Sequence, residues 1–225
     1  MKKKLILTLA FIFLLLVLNN KKIIEFVLAK KLSDWTEYSS NLNLSKFNFF
    51  SGQIEIEDIK IRNKINFFNE NIFEASQIKI NLNNKTFFSD LVVIKNVVLQ
   101  SPKFYFEIKN LTEDDKKIED NLKLIDRISK KQTPKIYPKK NKDKNFIINN
   151  LKINDAIIFI KDEKIKENII IPLSNMSFNK IGNSGHSDPE FQHYKNIMKI
   201  ILYDTFFRIP DEKLRKFIKK KYKIQ

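Results

Sequence analysis

Side chains that could hold a metal come together once in this sequence, in its C-terminal third. His186 and His193, the only histidines, flank Asp188 and Glu190. Their spacing matches no known metal-ligand motif, and His186 precedes the predicted start of a helix. The favoured interpretation is therefore a set of exposed polar residues.

Catalytic groups of other kinds also fail to form a recognisable arrangement. The acidic pairs Asp114-Asp115 and Asp162-Glu163 lie in polar stretches, where burial would not tune a carboxyl group for acid–base work. The chain has no cysteine and three glycines, which excludes a cysteine nucleophile or thiolate zinc site and argues against a phosphate loop. We therefore expect no enzymatic activity, no metal and no cofactor.

The positive charge is concentrated in three segments. The 225 residues carry a formal net charge of +16, of which residues 1–4, 130–144 and 211–225 hold +3, +6 and +5. The rest of the chain is nearly neutral. Since a nucleic-acid-binding protein more often spreads Lys and Arg over a folded face between aromatic residues, we expect no nucleic-acid partner.

The N-terminus has the layout of a membrane-targeting segment. Three lysines precede an apolar run from Leu5 to Leu18, which would span about 21 Å as a helix. Residues 1–20 are predicted to be an uncleaved transmembrane anchor with the body exported, because Lys21 and Lys22 could reach the interface from a slightly thinned bilayer. A cleaved signal, with its best site after Ala29, is the competing interpretation.

Beyond the anchor the period of the apolar residues changes from that of a helix to that of strands. Residues 21–38 have helical spacing and are predicted to form a stalk helix. An eight-residue template then recurs, with two apolar residues in alternation, two polar residues, and two more apolar residues in alternation. Its six copies hold Leu42, Leu44, Phe47, Phe49; Ile54, Ile56, Ile59, Ile61; Phe73, Ala75, Ile78, Ile80; Val92, Ile94, Val97, Leu99; Phe146, Ile148, Leu151, Ile153; and Ile171, Leu173, Met176, Phe178.

The polar pair of the template predicts a bend in each strand. It inserts one residue too many for strict alternation, and a β-bulge would return the second apolar pair to the original face. The proposed bulges are Glu57-Asp58, Ser76-Gln77, Lys95-Asn96, Asn149-Asn150 and Ser174-Asn175.

A bent sheet with one apolar face would have the shape of a half-pipe, either open as a groove or covered by the protein's own helices. For the open groove, the predicted lipid-facing residues are Phe47, Phe49, Ile54, Ile56, Ile59, Ile61, Ile78, Ile80, Val92, Ile94, Val97, Leu99, Ile148, Leu151, Ile153, Ile171, Leu173, Met176 and Phe178.

The fold class predicted from these patterns is α+β and mostly β, with a curved, bulged antiparallel sheet, an N-terminal transmembrane helix and C-terminal amphipathic helices. After the anchor and stalk, the predicted sections are a first β-section at 39–110, a helix and Lys/Pro-rich linker at 111–145, a second β-section at 146–182, and a helical segment with a basic tail at 183–225.

The order of these sections resembles a small AsmA-like bacterial envelope protein. After the anchor, the resemblance rests on FFSGQIEIEDIKIRN (49–63), NIFEASQIKINLN (71–83), DLVVIKNVVLQSPKFYFEI (90–108), FIINNLKINDAIIFIKD (146–162) and IPLSNMSFNKIGNSG (171–185). It implies a single-pass protein of the bacterial inner membrane with its body in the periplasm. It also implies a β-groove concerned with lipids and outer-membrane biogenesis.

The expected function is therefore non-enzymatic envelope biogenesis, in which the groove handles membrane lipids or supports other envelope proteins. One alternative is a structural or adaptor domain with a closed core and no ligand. A second is a basic nucleic-acid-binding protein, which would require the body to be cytoplasmic.

The anchor can be tested on the mature protein. Because Lys21, Lys22 and Glu25 interrupt the region before Ala29, we expect the mature chain to begin at or near Met1 and to resist extraction by alkaline carbonate. N-terminal sequencing that starts at Lys30 would show a cleaved signal instead.

Overall fold

A computed structural model describes residues 20–63, 67–109, 119–121, 145–162, 168–187, 194–212, 214–216 and 219. The predicted anchor lies outside this part of the chain except for Asn20. The predicted helix and linker at 111–145 also lie outside it, apart from 119–121 and Asn145. Within the described part, no helix is both long enough and apolar enough to cross a bilayer.

The described chain is mostly β, with a helix at each end. Helix α1 spans Lys21–Thr36, helix α2 spans Tyr194–Arg208, and a 3-10 turn spans Asn84–Thr86. The strands are β1 (Ser40–Asn48), β2 (Gln53–Arg62), β3 (Asn71–Leu82), β4 (Leu91–Gln100), β5 (Lys103–Lys109), β6 (Glu119–Asp120), β7 (Asn145–Asn154), β8 (Ile157–Asp162), β9 (Ile169–Pro172) and β10 (Met176–Gly182).

All ten strands belong to one sheet, which curls into a half-barrel. Strands β4 and β5 follow one another along the same edge of β3, and β7 and β8 lie beside them in the same way. Strands β10 and β9 form the outer edge, and β2 and β1 extend the sheet from the other side of β3. Three pairs of consecutive strands, β4 with β5, β7 with β8 and β9 with β10, each form one long strand that is bent in the middle.

The pairing register places the recurring apolar template on a single face. Residues directly opposite one another on neighbouring strands point to the same side of a sheet. One such row contains Leu44, Ile56, Ile78, Leu99, Ile153 and Met176, and the next contains Phe47, Ile54, Ile80, Val97, Leu151 and Phe178. The one-sided apolar sheet expected from the alternation is therefore the sheet that forms. Phe49 differs, because β1 ends at Asn48 and Phe49 lies in the turn that follows.

The bends of neighbouring strands lie side by side across the sheet. Asp58, Ser101 and Asp155 have positive φ angles of 49°, 48° and 54°. Hydrogen bonds join the bent segments: the Ser76 hydroxyl donates to the Gln100 carbonyl at 2.9 Å, and the Asp155 amide donates to the Asn175 side chain at 2.9 Å. Because every long strand turns at the same level, the sheet curls as a unit.

The five predicted bulge pairs have different outcomes, and at Ser76-Gln77 the register of β3 with its neighbours does not shift. The registers shift at Glu57-Asp58 against β1 and at Lys95-Asn96 against β3, as a bulge requires. Asn149 has no directly opposite partner on β4 or β10, but the register of these pairs does not shift there. Ser174-Asn175 lies between β9 and β10, where the strand is interrupted.

The expectation of an antiparallel sheet holds for most strand pairs and is wrong for two. Strand β4 pairs with β7, and β5 with β8, in parallel. After β5 and the short strand β6, the next strand begins at Asn145, whose amide donates to the carbonyl of Asp90 just before β4. Segment 110–144 therefore returns the chain to the end where β4 begins, and parallel neighbours require such a long crossover connection.

Both helices are tied to the sheet by hydrogen bonds. The Asn20 side chain accepts from the Ile23 amide to cap α1, and Lys21 donates to the Ser45 carbonyl of β1. In α2, Asp204 accepts from the Ser174 amide at 3.0 Å, and Arg208 donates to the Pro172 carbonyl at 3.1 Å. These contacts fix each helix over a different part of the sheet.

The turn between β1 and β2 gives a stability test. Gly52 has a φ of 69°, and a Cβ added there would overlap the Leu82 carbonyl oxygen. We expect Gly52→Ala to destabilise the fold by about 2–4 kcal/mol, because it adds left-handed strain to a clash with backbone. Thermal unfolding followed by circular dichroism measures this.

The matched control is Gly185→Ala, because a Cβ at Gly185 meets nothing within 4 Å. It should change stability by no more than about 0.5 kcal/mol. Equal losses for the two variants would contradict the close packing of Gly52 on β3.

Candidate apolar binding face

The candidate site is the apolar face of the half-barrel, on which the predicted lipid-facing residues lie at different depths. Seven of the nineteen are buried: Ile56, Ile59, Ile61, Ile153, Ile171, Leu173 and Phe178. The other twelve are half-buried: Phe47, Phe49, Ile54, Ile78, Ile80, Val92, Ile94, Val97, Leu99, Ile148, Leu151 and Met176. The face is therefore partly covered and partly accessible.

Helix α1 covers the part of the face formed by the first strands. Its residues Ile24, Leu28 and Leu32 pack on a buried cluster formed by Leu42, Leu44, Ile56, Ile59 and Ala75. The spacing of three helical residues at intervals of four puts them on one side of the helix. This cover extends toward Ile78 and Leu99, which pack against the edge of the cluster.

Helix α2 and the residues after it cover the opposite part of the face. Ile197, Ile201, Ile209 and Leu214 join a second buried cluster. From the sheet this cluster includes Phe106, Ile108, Ile153, Ala156, Ile158, Ile160, Ile171, Leu173, Phe178 and Ile181. It is the larger of the two clusters and holds the bent second halves of the strands together.

A strip of apolar residues lies between the two covered parts. Ile80, Val92, Ile94 and Val97 on β3 and β4 are half-buried, and within the described chain none of them packs against either buried cluster. We call these four residues the apolar strip. From Val92 to Val97 the apolar strip extends roughly 17 Å along β4, at 3.3 Å per residue.

The other face of the same strands is polar. A recess of about 200 Å³ is lined by Gln53, Glu55, Lys79, Asn81, Asn96 and Val98, together with Ile54 and Ile80. Since Glu55 pairs with Lys79, and Lys79 with Val98, these side chains point away from the apolar strip. The sheet therefore separates an apolar surface from a charged one.

Groups suited to catalysis do not come together in the described part of the chain. No group of three histidine or acidic side chains could hold a metal there. His186 is exposed, and its three proposed companions, Asp188, Glu190 and His193, lie outside the described residues.

One buried acid was not expected from the sequence. Glu107 is 0% exposed and accepts hydrogen bonds from the amides of Phe68 and Asn69 at 2.6 and 2.7 Å. Because the carboxylate is used by the connection between β2 and β3, its contacts are structural. No local signal marks Glu107, since its partners are almost forty positions away.

Sequence patterns also could not distinguish the open residues from the covered ones. Ile80 and Ile153 occupy equivalent template positions, yet one is half-buried on the apolar strip and the other is buried. The difference arises from where α1 and α2 lie, and helix placement is a tertiary property.

Comparison with known proteins does not identify relatives: no family model, curated protein or solved structure matches the chain. The functional argument therefore rests on the geometry of the sheet and its covering helices.

The polar face offers a test through pH. Burial, the nearby Glu74 charge and a hydrogen bond from the Tyr105 hydroxyl to Glu74 raise the pKa of Tyr105 to about 12. The ring also stacks on Phe159 at 5.0 Å. Because the folded protein favours the neutral phenol, Tyr105 stabilises the fold fully below about pH 10, the pKa of an unperturbed tyrosine. This stabilisation is lost as the pH rises toward 12.

We expect Tyr105→Phe to be less stable than the natural protein at pH 8, and this difference to shrink between pH 10 and 12. Thermal unfolding of both proteins across that range measures the effect. A difference that stays constant to pH 12 would contradict the raised pKa of Tyr105.

Proposed function

We propose that this protein binds the acyl chain of a membrane lipid on the apolar strip, and that residues 1–20 hold it at a bacterial inner membrane with its body in the periplasm. The accessible apolar strip between two helix-covered areas is the observation that carries the proposal. Leaving several large aliphatic side chains accessible on one continuous surface is costly, and such surfaces commonly mark binding sites.

The size of the strip favours an acyl chain as its ligand. Half the hydrocarbon core of a bilayer, the reach of one acyl chain, is about 15 Å, and the strip runs roughly 17 Å along β4 from Val92 to Val97. Neighbouring strands are about 5 Å apart, and the strip involves only β3 and β4. One extended chain fits such a surface better than a broad ligand does.

The surroundings of the strip favour a binding role over a catalytic one. Its four residues carry only hydrocarbon side chains, and the charged residues of the recess point to the opposite face. A hydrocarbon ligand would find contacts there and no groups that could transform it. This agrees with a non-enzymatic role in envelope biogenesis, and the AsmA-like arrangement of the sequence supports the same role.

The test is lipid retention by the full chain purified in mild detergent. We expect co-purifying phospholipid, detected by mass spectrometry, and at least a tenfold reduction in Val97→Asp. A carboxylate facing the ligand would have to lose water on binding, and about 1.4 kcal/mol of lost affinity already gives a factor of ten.

The matched control is Val98→Asp, which makes the same change at the next position of β4 on the opposite face. Both residues are half-buried, so the variants separate loss of a ligand contact from general destabilisation. Ile59 and Ile153 are unsuitable for this test because both lie within buried clusters.

The alternative is an adaptor domain with no lipid ligand. If the natural protein carries no phospholipid, or if Val97→Asp and Val98→Asp retain equal amounts, the acyl-chain proposal is wrong and the adaptor role is favoured.

A further inference from the structure

Four phenylalanines cluster at one end of the sheet. Phe49 and Phe50 lie in the turn between β1 and β2, and Phe87 and Phe88 in the connection between β3 and β4. The Phe49 ring centroid is 6.0 Å from that of Phe50, 5.4 Å from that of Phe87 and 6.2 Å from that of Phe88. We call these four residues the aromatic tip.

Two of the four rings of the aromatic tip are strongly exposed. Phe50 and Phe88 are each 79% exposed and Phe87 is 38% exposed. Isolated exposed apolar residues are ordinary, but several large rings in contact form a patch of the kind that marks an interaction surface.

The backbone beneath the rings is held by hydrogen bonds. The Asn84 side chain donates to the Phe50 carbonyl, and the Leu82 amide donates to the Gly52 carbonyl at 2.7 Å. The Thr86 hydroxyl accepts from the Val93 amide at 2.9 Å. The two connections are therefore joined to each other and to the sheet, which presents the rings on an ordered base.

The position of α1 indicates what the aromatic tip contacts. Lys21, at the start of α1, donates to the Ser45 carbonyl, and β1 continues from Ser45 toward Phe49. The apolar run Leu5–Leu18 comes immediately before this helix. The tip thus lies at the end of the sheet where the N-terminal segment joins, and it extends roughly 13 Å beyond Ser45 along β1.

Exposed apolar residues continue onto the first turns of α1. Ile23, Phe26 and Val27 are 40%, 68% and 48% exposed, although the other side of this helix packs on the sheet. Their spacing places them together on one face. Apolar surface therefore occurs on both the helix and the turns at this end.

We propose that the aromatic tip inserts into the surface of the bilayer that receives residues 5–18. This inference rests on the membrane attachment in the proposed function, but not on lipid binding by the apolar strip. With Lys21 at the head groups, a tip that reaches roughly 13 Å further would pass the head groups and enter the acyl-chain region. Val92, at the tip end of the strip, would then face the membrane.

The experiment uses the absence of cysteine from the chain. Phe50→Cys and Phe68→Cys variants of the full chain are labelled with an environment-sensitive nitrobenzoxadiazole dye. They are then reconstituted into phosphatidylethanolamine–phosphatidylglycerol vesicles. Phe68 is the matched control, because it is also exposed, at 57%, and lies in the connection at the opposite end of β2 and β3.

We expect lipids carrying a doxyl quencher in their acyl chains to quench the dye at position 50 several-fold more than the dye at position 68. The tip inference is wrong if the protein floats with the vesicles but the dye at position 50 is quenched no more than the dye at position 68. The anchor would still stand in that case. Failure of the protein to float with the vesicles would overturn both.

Two further outcomes separate the remaining possibilities. Quenching at position 50 in a protein that retains no phospholipid would support the aromatic tip and contradict the acyl-chain proposal. If the dye at position 50 is protected from quenching only when a second, co-purified protein is present, the bilayer is not the partner of the tip.

Discussion

The structure depends on one geometric constraint, which is that each long strand must return its apolar residues to the same face after a bend. If a strand changed direction without an extra residue or a left-handed residue at the bend, its later side chains would point to the opposite face. Asp58, Ser101 and Asp155 make the adjustment in left-handed conformations, and their alignment across neighbouring strands turns separate kinks into a curl. The apolar face is continuous across the bend because these positions are coordinated.

This continuity determines how the helices can cover the sheet. A curled face is too broad for one helix, so α1 packs over the first strands and α2 over the last. Their positions leave Ile80 and Val97, opposite one another on β3 and β4, half-buried between the two clusters. The accessible strip is thus a consequence of using two helices anchored at separate edges.

Local patterns predicted the strands and their common face, but not the way the strands are arranged. The template in β7 could be read from Phe146, Ile148, Leu151 and Ile153, since alternation is a property of neighbouring residues. The parallel pairing of β7 with β4 could not, because it depends on where segment 110–144 returns the chain. For the same reason, Glu107 was not anticipated: its partners, Phe68 and Asn69, are close only in the folded sheet.

The two ends of the sheet differ in a way that gives the domain a direction. Because α1 runs back along β1, the start of α1 and the turns carrying the aromatic rings meet at one end. At the other end the connection between β2 and β3 folds over Glu107, while Lys109 and Lys161 lie 5.0 and 4.0 Å from the Phe67 and Phe68 ring centroids. Cation–π contacts and a buried carboxylate close that end with polar groups. These polar contacts lie on the outer face of the sheet, because Glu107 and Lys161 are opposite one another and alternate with Phe106, Ile108 and Ile160 of the apolar face. The domain therefore carries exposed aromatic rings at one end and polar contacts on its outer face at the other.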